Sequence, residues 1–193
     1  MIRALVTALA ALLLAGCGSM NVVSEGADSR LMLKGYDPVA YFTDGKPVLG
    51  RPDIKTDHQG VTYRFASEEH RKLFIAHAAK YVPQFGGFCA NGMVYAVPLG
   101  GEPTVFKIID GRLFVFGGER PKLYFEMDQE RNLKLADHYW DAEVRDSLLQ
   151  WQYALRAWIN RVSHYKTNKE LAEEYQRRFG KDSGNLPQST GRR

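Results

Sequence analysis

The sequence predicts an α+β fold, in which a compact module of short antiparallel strands and one short helix precedes a helical extension. Three observations favour this class. Residues 61–65 alternate between apolar and polar side chains with a period of two. Asp110 and Gly111 form a two-residue hairpin signal between two strand-like runs. Residues 144–162 carry apolar side chains at spacings of 4, 3, 4, 3 and 4, as on one face of a helix.

The composition limits the class of protein. With 193 residues, of which 45% are hydrophobic and 25% charged, the chain can bury a core, and it is not a disordered or collagen-like chain. Two cysteines are too few for a disulfide framework or an all-cysteine zinc site. The formal charge of +4 comes from Arg3 and from residues 166–193, so the rest is neutral and we expect no nucleic-acid partner.

The first residues predict a bacterial lipoprotein. Residues 1–16 carry Arg3 and then an apolar run that is too short to span a bilayer but suits a signal peptide. The following Leu14-Ala15-Gly16-Cys17 matches a lipobox, which predicts that Cys17 is acylated and anchors the protein to the membrane. Gly18, rather than Asp, favours the outer membrane, on its periplasmic side. The alternative is an ordinary secretory signal.

A tether and a first group of strands follow. Residues 17–30 are small and polar and predict a flexible tether. The domain is expected at 31–118. Residues 36–42 are aromatic-rich and predict a strand, residues 43–47 predict a reversal, and residues 60–65 predict a strand that buries Val61, Tyr63 and Phe65.

A helix is predicted over residues 68–81. Ser67 is a suitable N-cap, and His70 and His77 lie on the expected inner face with Phe74. Residues 85–92 form a glycine-rich loop in which backbone can approach another group closely. The sequence then predicts three strands, at 93–97, 104–109 and 112–116.

The helical extension is expected at 119–180. The amphipathic helix over 144–162, with Asp141 as its N-cap, presents Trp151 and Trp158 on its apolar face. These tryptophans either cover the sheet or form a surface for a protein partner or the membrane. A further helix is predicted over 168–179, and residues 181–193 are expected to be disordered.

Three segments resemble the extracytoplasmic branch of the YHS-domain family. They are Lys34-Gly35-Tyr36-Asp37-Pro38-Val39-Ala40-Tyr41-Phe42, then Tyr63-Arg64-Phe65-Ala66-Ser67, and Tyr81-Val82-Pro83-Gln84-Phe85-Gly86-Gly87-Phe88-Cys89-Ala90. The resemblance covers roughly residues 33–118 and implies a compact α+β module. In other branches, and in the related TRASH modules, cysteines hold a metal, and the modules occur in copper-handling proteins.

The chain departs from that metal-binding pattern. Ala40, Ala66 and His70 stand at the positions that resemble the family's metal-binding cysteines, so the ligand set does not carry over. Some relatives in this branch carry selenocysteine at the position of Cys89, which implies redox or soft-metal chemistry there.

Cys89 is therefore the first candidate functional residue. If Cys17 is acylated, Cys89 is the remaining thiol, and no internal disulfide can form. It could ligate a soft ion such as copper together with Met93 and one histidine; His70 and His77 lie about 10 Å apart along a helix, too far to share one ion. The alternative is a small buried hydrophobe.

Three functions follow from the sequence. The leading interpretation is a non-catalytic envelope module that binds a soft metal or a protein partner through the Cys89 region. The alternatives are a thiol-dependent redox protein that needs an external resolving thiol, and a purely structural envelope lipoprotein.

Overall fold

The structure, a computed structural model, describes residues 20–147, 159 and 161–183. Its helices and strands confirm the α+β class, with about 42% of residues helical and 27% in strands. Within the described residues, no helix has both the length and the apolar character that a membrane crossing requires.

A four-stranded sheet forms the N-terminal half. Its strands are β1 (Val22–Glu25), β2 (Asp28–Met32), β3 (Arg51–His58) and β4 (Val61–Phe65), in the spatial order β1-β2-β4-β3. The β1–β2 and β3–β4 pairs are antiparallel, whereas β2 and β4 run parallel. The predicted burial of Val61, Tyr63 and Phe65 on β4 is confirmed.

The predicted tether over 17–30 is wrong from Val22 onward, because this segment forms the β1–β2 hairpin. Three charged hydrogen bonds explain why polar residues are ordered there. The carboxylate of Asp28, only 5% exposed, accepts from Arg64 Nε at 2.8 Å and from Lys55 Nζ at 2.5 Å. Arg64 Nη1 also donates to Glu25 at 2.5 Å. The Glu25 and Asp28 carboxylates, which suggested a solvated segment, thus form ion pairs with Lys55 of β3 and Arg64 of β4.

Residues 36–42, predicted as a strand, form a turn followed by the short helix α1 (Ala40–Thr43). The Asp37 side chain accepts from the amide of Val39 at 2.8 Å, which bends the chain before a ladder can form. Val39, Ala40 and Tyr41 are all buried, so the segment lacks the alternating exposure of a strand.

The predicted helix over 68–81 is interrupted at His77. It consists of α2 (Glu68–Ala76), capped by Ser67 as expected, and α3 (Ala78–Tyr81). His77 has φ −143° and ψ 46°, outside the helical region. After this break Tyr81 is buried, with its ring centroid 5.3 Å from that of Phe42.

The strand predicted over residues 93–97 is wrong. The structure has the short helix α4 (Ala90–Met93) followed by turns, and the amides of Tyr95 and Val97 donate locally to the Gly92 carbonyl. A continuous apolar run does not distinguish a buried helix or turn from a buried strand. The strands predicted over 104–109 and 112–116 are confirmed as β5 (Glu102–Ile109) and β6 (Arg112–Phe116), an antiparallel pair joined by a turn at Asp110 and Gly111.

Strand β6 separates two hydrophobic cores. Leu113 and Val115 face the N-terminal core, together with residues such as Tyr63, Phe65 and Phe74. Phe114 and Phe116 face the C-terminal core, whose other buried members are Phe85, Cys89, Ala90, Met93, Val94, Ile109, Phe125, Ala136, Trp140 and Val144. Residues from both sides of the predicted boundary at 118 build this second core, so the extension packs on the domain through it.

The helices after β6 are α5 (Glu119–Glu126), α6 (Gln129–Tyr139) and α7 (Asn168–Phe179). The predicted bounds of α7 are confirmed. Asp141 is not an N-cap, because a π-helical turn, Trp140–Val144, continues α6 through it. Most of the amphipathic helix predicted over 144–162, with Trp151 and Trp158, lies outside the described residues. Ser183, within the predicted tail, is 1% exposed and lies 3.1 Å from the Tyr124 hydroxyl.

Two adjacent glycines provide a test of the packing around the glycine-rich loop. A Cβ on Gly101 would lie 2.5 Å from the Gly87 carbonyl oxygen and 2.6 Å from Val115 Cγ2, whereas a Cβ on Gly100 would meet only Asn21 Oδ1, at 4.0 Å. We expect Gly101→Ala to lower the free energy of unfolding by about 1–3 kcal/mol, because backbone and a buried strand must shift.

Gly100→Ala is the matched control and should change stability by only a few tenths of a kcal/mol. Urea denaturation of the two variants measures the difference. Equal stability of the two would contradict the close backbone approach at Gly101.

Candidate functional site

Cys89 lies inside the C-terminal core, immediately before α4. Its side chain is 2% exposed, and its amide donates to the Leu99 carbonyl at 2.8 Å. Burial raises the pKa of the Cys89 thiol above its ordinary value, although the amides of Gly92, Gly117 and Asn91 act in the opposite direction. A thiol that is buried and protonated is neither a good nucleophile nor an available metal ligand.

Met93 shares this core but adds no accessible donor. It follows Cys89 by one helical turn, and its side chain is 0% exposed. The sulfur-containing side chains therefore serve as packing groups in the conformation observed.

The two histidines predicted to join Cys89 lie on α2 and at the α2–α3 break, and neither belongs to the core that holds the thiol. His77 is exposed. His70 has protein partners at both ring nitrogens: Nδ1 lies 2.7 Å from Asp37 Oδ2, and Nε2 lies 3.3 Å from Thr43 Oγ1.

The four predicted ligands are thus divided between a sealed core and the surface of α2. Among residues 20–147 and 161–183, no three side chains of the types His, Cys, Asp and Glu are placed to hold a metal ion. The alternative considered for Cys89, a small buried hydrophobe, agrees with its surroundings.

Asp37 is the residue that organises the surroundings of His70. It is fully buried and accepts three hydrogen bonds, from the amides of Val39 and Ala66, each at 2.8 Å, and from His70 Nδ1. The Asp37 carboxylate fixes the His70 ring, whose Nε2 then faces the Thr43 hydroxyl. That hydroxyl also has the Val39 carbonyl and Asp44 Oδ1 within hydrogen-bond distance, so these contacts join α1 to the start of α2.

The Asp37-Pro38 pair indicates a turn, but nothing in the sequence indicates the second role of Asp37. The signal for the turn, Asp before Pro, is local. The contacts of Asp37 with Ala66 and His70 span 29 and 33 residues, so no pattern in neighbouring residues predicts them.

The structure also contains a groove of about 630 Å³ that no sequence pattern predicted. It lies where the N-terminal sheet, the glycine-rich loop and the end of α6 meet, and its lining is mostly apolar. We call it the Trp140 groove; it is lined by Met20, Met32, Gln59, Gly60, Tyr63, Val82, Pro83, Gln84, Phe85, Gly86, Trp140, Arg145 and Asp146. A few polar groups beside an apolar wall are typical of sites for small molecules and lipid chains.

The glycine-rich loop that lines the groove is held by two hydrogen bonds from a single residue. Phe85, Gly86 and Gly87 have φ values of 53°, 57° and 78°, a left-handed turn that brings the Gly86 and Gly87 carbonyls within hydrogen-bond distance of one residue. Asn21 meets them: its amide donates to the Gly86 carbonyl and its Nδ2 to the Gly87 carbonyl, each at 2.8 Å. The sequence predicted a close approach at this loop, and the group that approaches is Asn21.

The burial of Cys89 gives a direct prediction. In the native protein we expect iodoacetamide to label this thiol slower by orders of magnitude than an exposed cysteine, because reaction requires opening of the C-terminal core. In denaturant the same thiol should react at once. Mass spectrometry of the labelled protein provides the measurement, and Cys89→Ser is the control that removes the signal. Rapid labelling of the native protein would contradict the buried position.

Comparisons of the chain with protein-family models, curated proteins and solved structures found no match. The resemblance to the YHS-domain family therefore stays a prediction. So do the acylation of Cys17 and a partner surface at Trp151 and Trp158, whose residues lie outside the described part of the chain.

Proposed function

We propose that this protein is a non-catalytic binding module of the bacterial envelope, anchored by an acylated Cys17 on the periplasmic side of the outer membrane. Its ligand site is the Trp140 groove rather than the Cys89 region. The observation that carries the proposal is an open, mostly apolar groove of about 630 Å³ whose glycine-rich loop is held by two hydrogen bonds from Asn21.

The lining defines the ligand class. Met20, Val82 and Trp140 provide apolar surface for an aliphatic or aromatic body, whereas Arg145 and Asp146 provide charge for a polar end. Clefts of this size accommodate ligands of a few hundred daltons or one aliphatic chain.

The burial of Cys89 argues against the two functions that required a reactive sulfur. A soft-metal site needs a thiolate and a second accessible donor, and a redox site needs a thiolate that meets its substrate. The side chain of Cys89 is 2% exposed and its pKa is raised, so the proposal assigns it to packing.

The test uses an environment-sensitive apolar dye, N-phenyl-1-naphthylamine, titrated into the full-length protein. We expect saturable binding with enhanced emission, and we expect Val82→Trp, which fills the groove from its half-buried wall, to reduce the affinity at least tenfold. Leu49→Trp is the matched control, since Leu49 is 63% exposed and does not line the groove.

Thermal unfolding of both variants shows whether each has folded. Met20→Ala, which shortens a side chain of the groove lining without filling it, gives a second measurement. Unchanged dye affinity in a folded Val82→Trp protein would overturn the groove as the ligand site.

A further inference from the structure

The part of the chain that the structure describes begins close in sequence to the proposed anchor, Cys17. Asn21 is bonded to the Gly86 and Gly87 carbonyls, and β1 starts at Val22, so the chain is fixed in place from this point. Met20, the residue before Asn21, already lines the Trp140 groove.

The distance from the anchor to the groove follows from the chain length. Cys17 and Met20 are separated by three virtual Cα–Cα bonds, which span at most about 11 Å. This distance exceeds the roughly 5–7 Å thickness of one lipid headgroup layer by only about 4–6 Å. An acylated Cys17 therefore cannot hold the groove far from the bilayer, as a tether of 14 residues could have done.

From this position we infer that the Trp140 groove opens toward the membrane and receives an acyl chain of a phospholipid from that membrane. The inference rests on the proposed function, because it uses both the acylation of Cys17 and the groove as a ligand site. It goes further by naming the ligand and its source.

The groove lining suits such a ligand. Met20, Val82 and Phe85 offer aliphatic and aromatic surface that an alkyl chain can contact. Trp140 is 9% exposed and belongs to the C-terminal core, where its ring centroid lies 6.0 Å from that of Phe85, and it adds aromatic surface to the groove lining.

The rim carries charge of both signs, from Arg145 and Asp146, which suits the zwitterionic headgroup of phosphatidylethanolamine. Arg145 has a side chain that is 51% exposed, and it lines the groove while paired with Asp141. A guanidinium in this position can exchange its surface carboxylate partner for a lipid phosphate, which it binds with two parallel hydrogen bonds.

The anchor also supplies the ligand at high local concentration. A groove held within about 11 Å of the bilayer attachment point meets phospholipids continuously, so a weak intrinsic affinity is sufficient for occupancy. The ligand is therefore a phospholipid of the membrane and not a free fatty acid that reaches the groove from solution.

The experiment uses full-length lipidated protein reconstituted into phosphatidylethanolamine and phosphatidylglycerol vesicles that contain a phospholipid with a photoactivatable diazirine in one acyl chain. After irradiation, we expect cross-links in the peptides that contain residues 82–86 and 140–146. Val82→Trp should remove these cross-links while the protein still floats with the vesicles, and Leu49→Trp should leave them unchanged. Cross-links confined to residues 17–19, or insensitive to Val82→Trp, would overturn the inference.

A spacer variant tests the source of the ligand. Twenty glycine and serine residues inserted after Ser19 should lower the groove cross-link on the order of tenfold, because the effective concentration falls with spacer length. A free diazirine fatty acid added to the unspaced protein should label the groove less than the vesicle phospholipid does. Equal cross-linking with and without the spacer, or stronger labelling by the fatty acid, would show that the groove draws its ligand from solution.

The outcomes separate the two proposals. If the dye binds in the groove but the vesicle phospholipid does not cross-link there, the binding function stands and the membrane ligand is refuted. If the dye does not bind, the groove is refuted as a ligand site, and an unmodified Cys17 in the mass spectrum refutes the anchor.

Discussion

Replacement of Asp37 by alanine is expected to lower the free energy of unfolding by about 3–5 kcal/mol. The carboxylate is fully buried and accepts from the amides of Val39 and Ala66 and from His70 Nδ1. Its removal leaves these donors without an acceptor in places that water reaches poorly, and each unsatisfied donor is costly. Urea denaturation followed by circular dichroism provides the measurement.

Asp44→Ala is the matched control for that variant. Asp44 lies near the other ring nitrogen of His70, with Oδ1 3.9 Å from Nε2, and its side chain is 37% exposed. We expect a change within about 1 kcal/mol. If Asp37→Ala were no more destabilising than Asp44→Ala, Asp37 would not be the residue that holds α1 against α2.

Replacement of Asp28 by alanine is expected to cost about 3 kcal/mol and to free the β1–β2 hairpin. Asp28 and Arg64 are 5% and 6% exposed and approach to 2.7 Å, so the variant leaves a buried guanidinium with Glu25 as its remaining carboxylate. The cost falls at the lower end of the range for buried pairs because Glu25 still pairs and Lys55 is 41% exposed. Hydrogen exchange should show selective loss of protection in residues 22–32.

The lowered pKa of Asp28 predicts that the free energy of unfolding depends on pH. Hydrogen bonds from Lys55, and then from Arg64, lower the pKa of Asp28 below its ordinary value, although burial opposes this. Since the folded pKa lies below the unfolded value, the stabilisation is complete above about pH 5 and is lost as the pH falls through the folded pKa. The stability difference between the protein and Asp28→Asn should therefore be constant near neutral pH and shrink below about pH 4.

Asp53→Ala is the control for both measurements. Its pair with Arg51 lies on the surface, with both side chains more than 60% exposed. We expect little change in stability and no selective loss of protection in β1 and β2. If Asp28→Ala behaved in the same way, the hairpin would not depend on the buried pair.

The sequence predicted the elements whose signals are local. Strand β4 has an alternating pattern, the β5–β6 hairpin has Asp110 and Gly111, α2 has Ser67 at its start, and α7 has a capping box from Thr167 to Glu170. In each case, a few neighbouring residues satisfy the backbone or define the buried face. The conformation of these elements depends mainly on neighbouring residues, so the sequence predicts them correctly.

The errors do not all have the same origin. At residues 36–42 the bond that bends the chain, from the Val39 amide to Asp37, is local, and the aromatic-rich pattern of the segment obscured it. Elsewhere distant contacts decide the conformation: residues 22–30 look like a tether until Asp28 meets Arg64. The candidate site failed for the same reason. A cysteine in a glycine-rich loop looks reactive, yet its burial depends on Phe114, Phe116 and Phe125, which come from β6 and α5.

By itself, the sequence determined the α+β class, strand β4, the β5–β6 hairpin, the start of α2 and the bounds of α7. Only the tertiary structure decided that Cys89 is sealed in a core, that His70 is held by Asp37, and that Met20 and Trp140 line one groove. The physical reason is that a backbone pattern follows from neighbours a few residues apart. Burial, charge pairing and cavities depend on which distant surfaces meet.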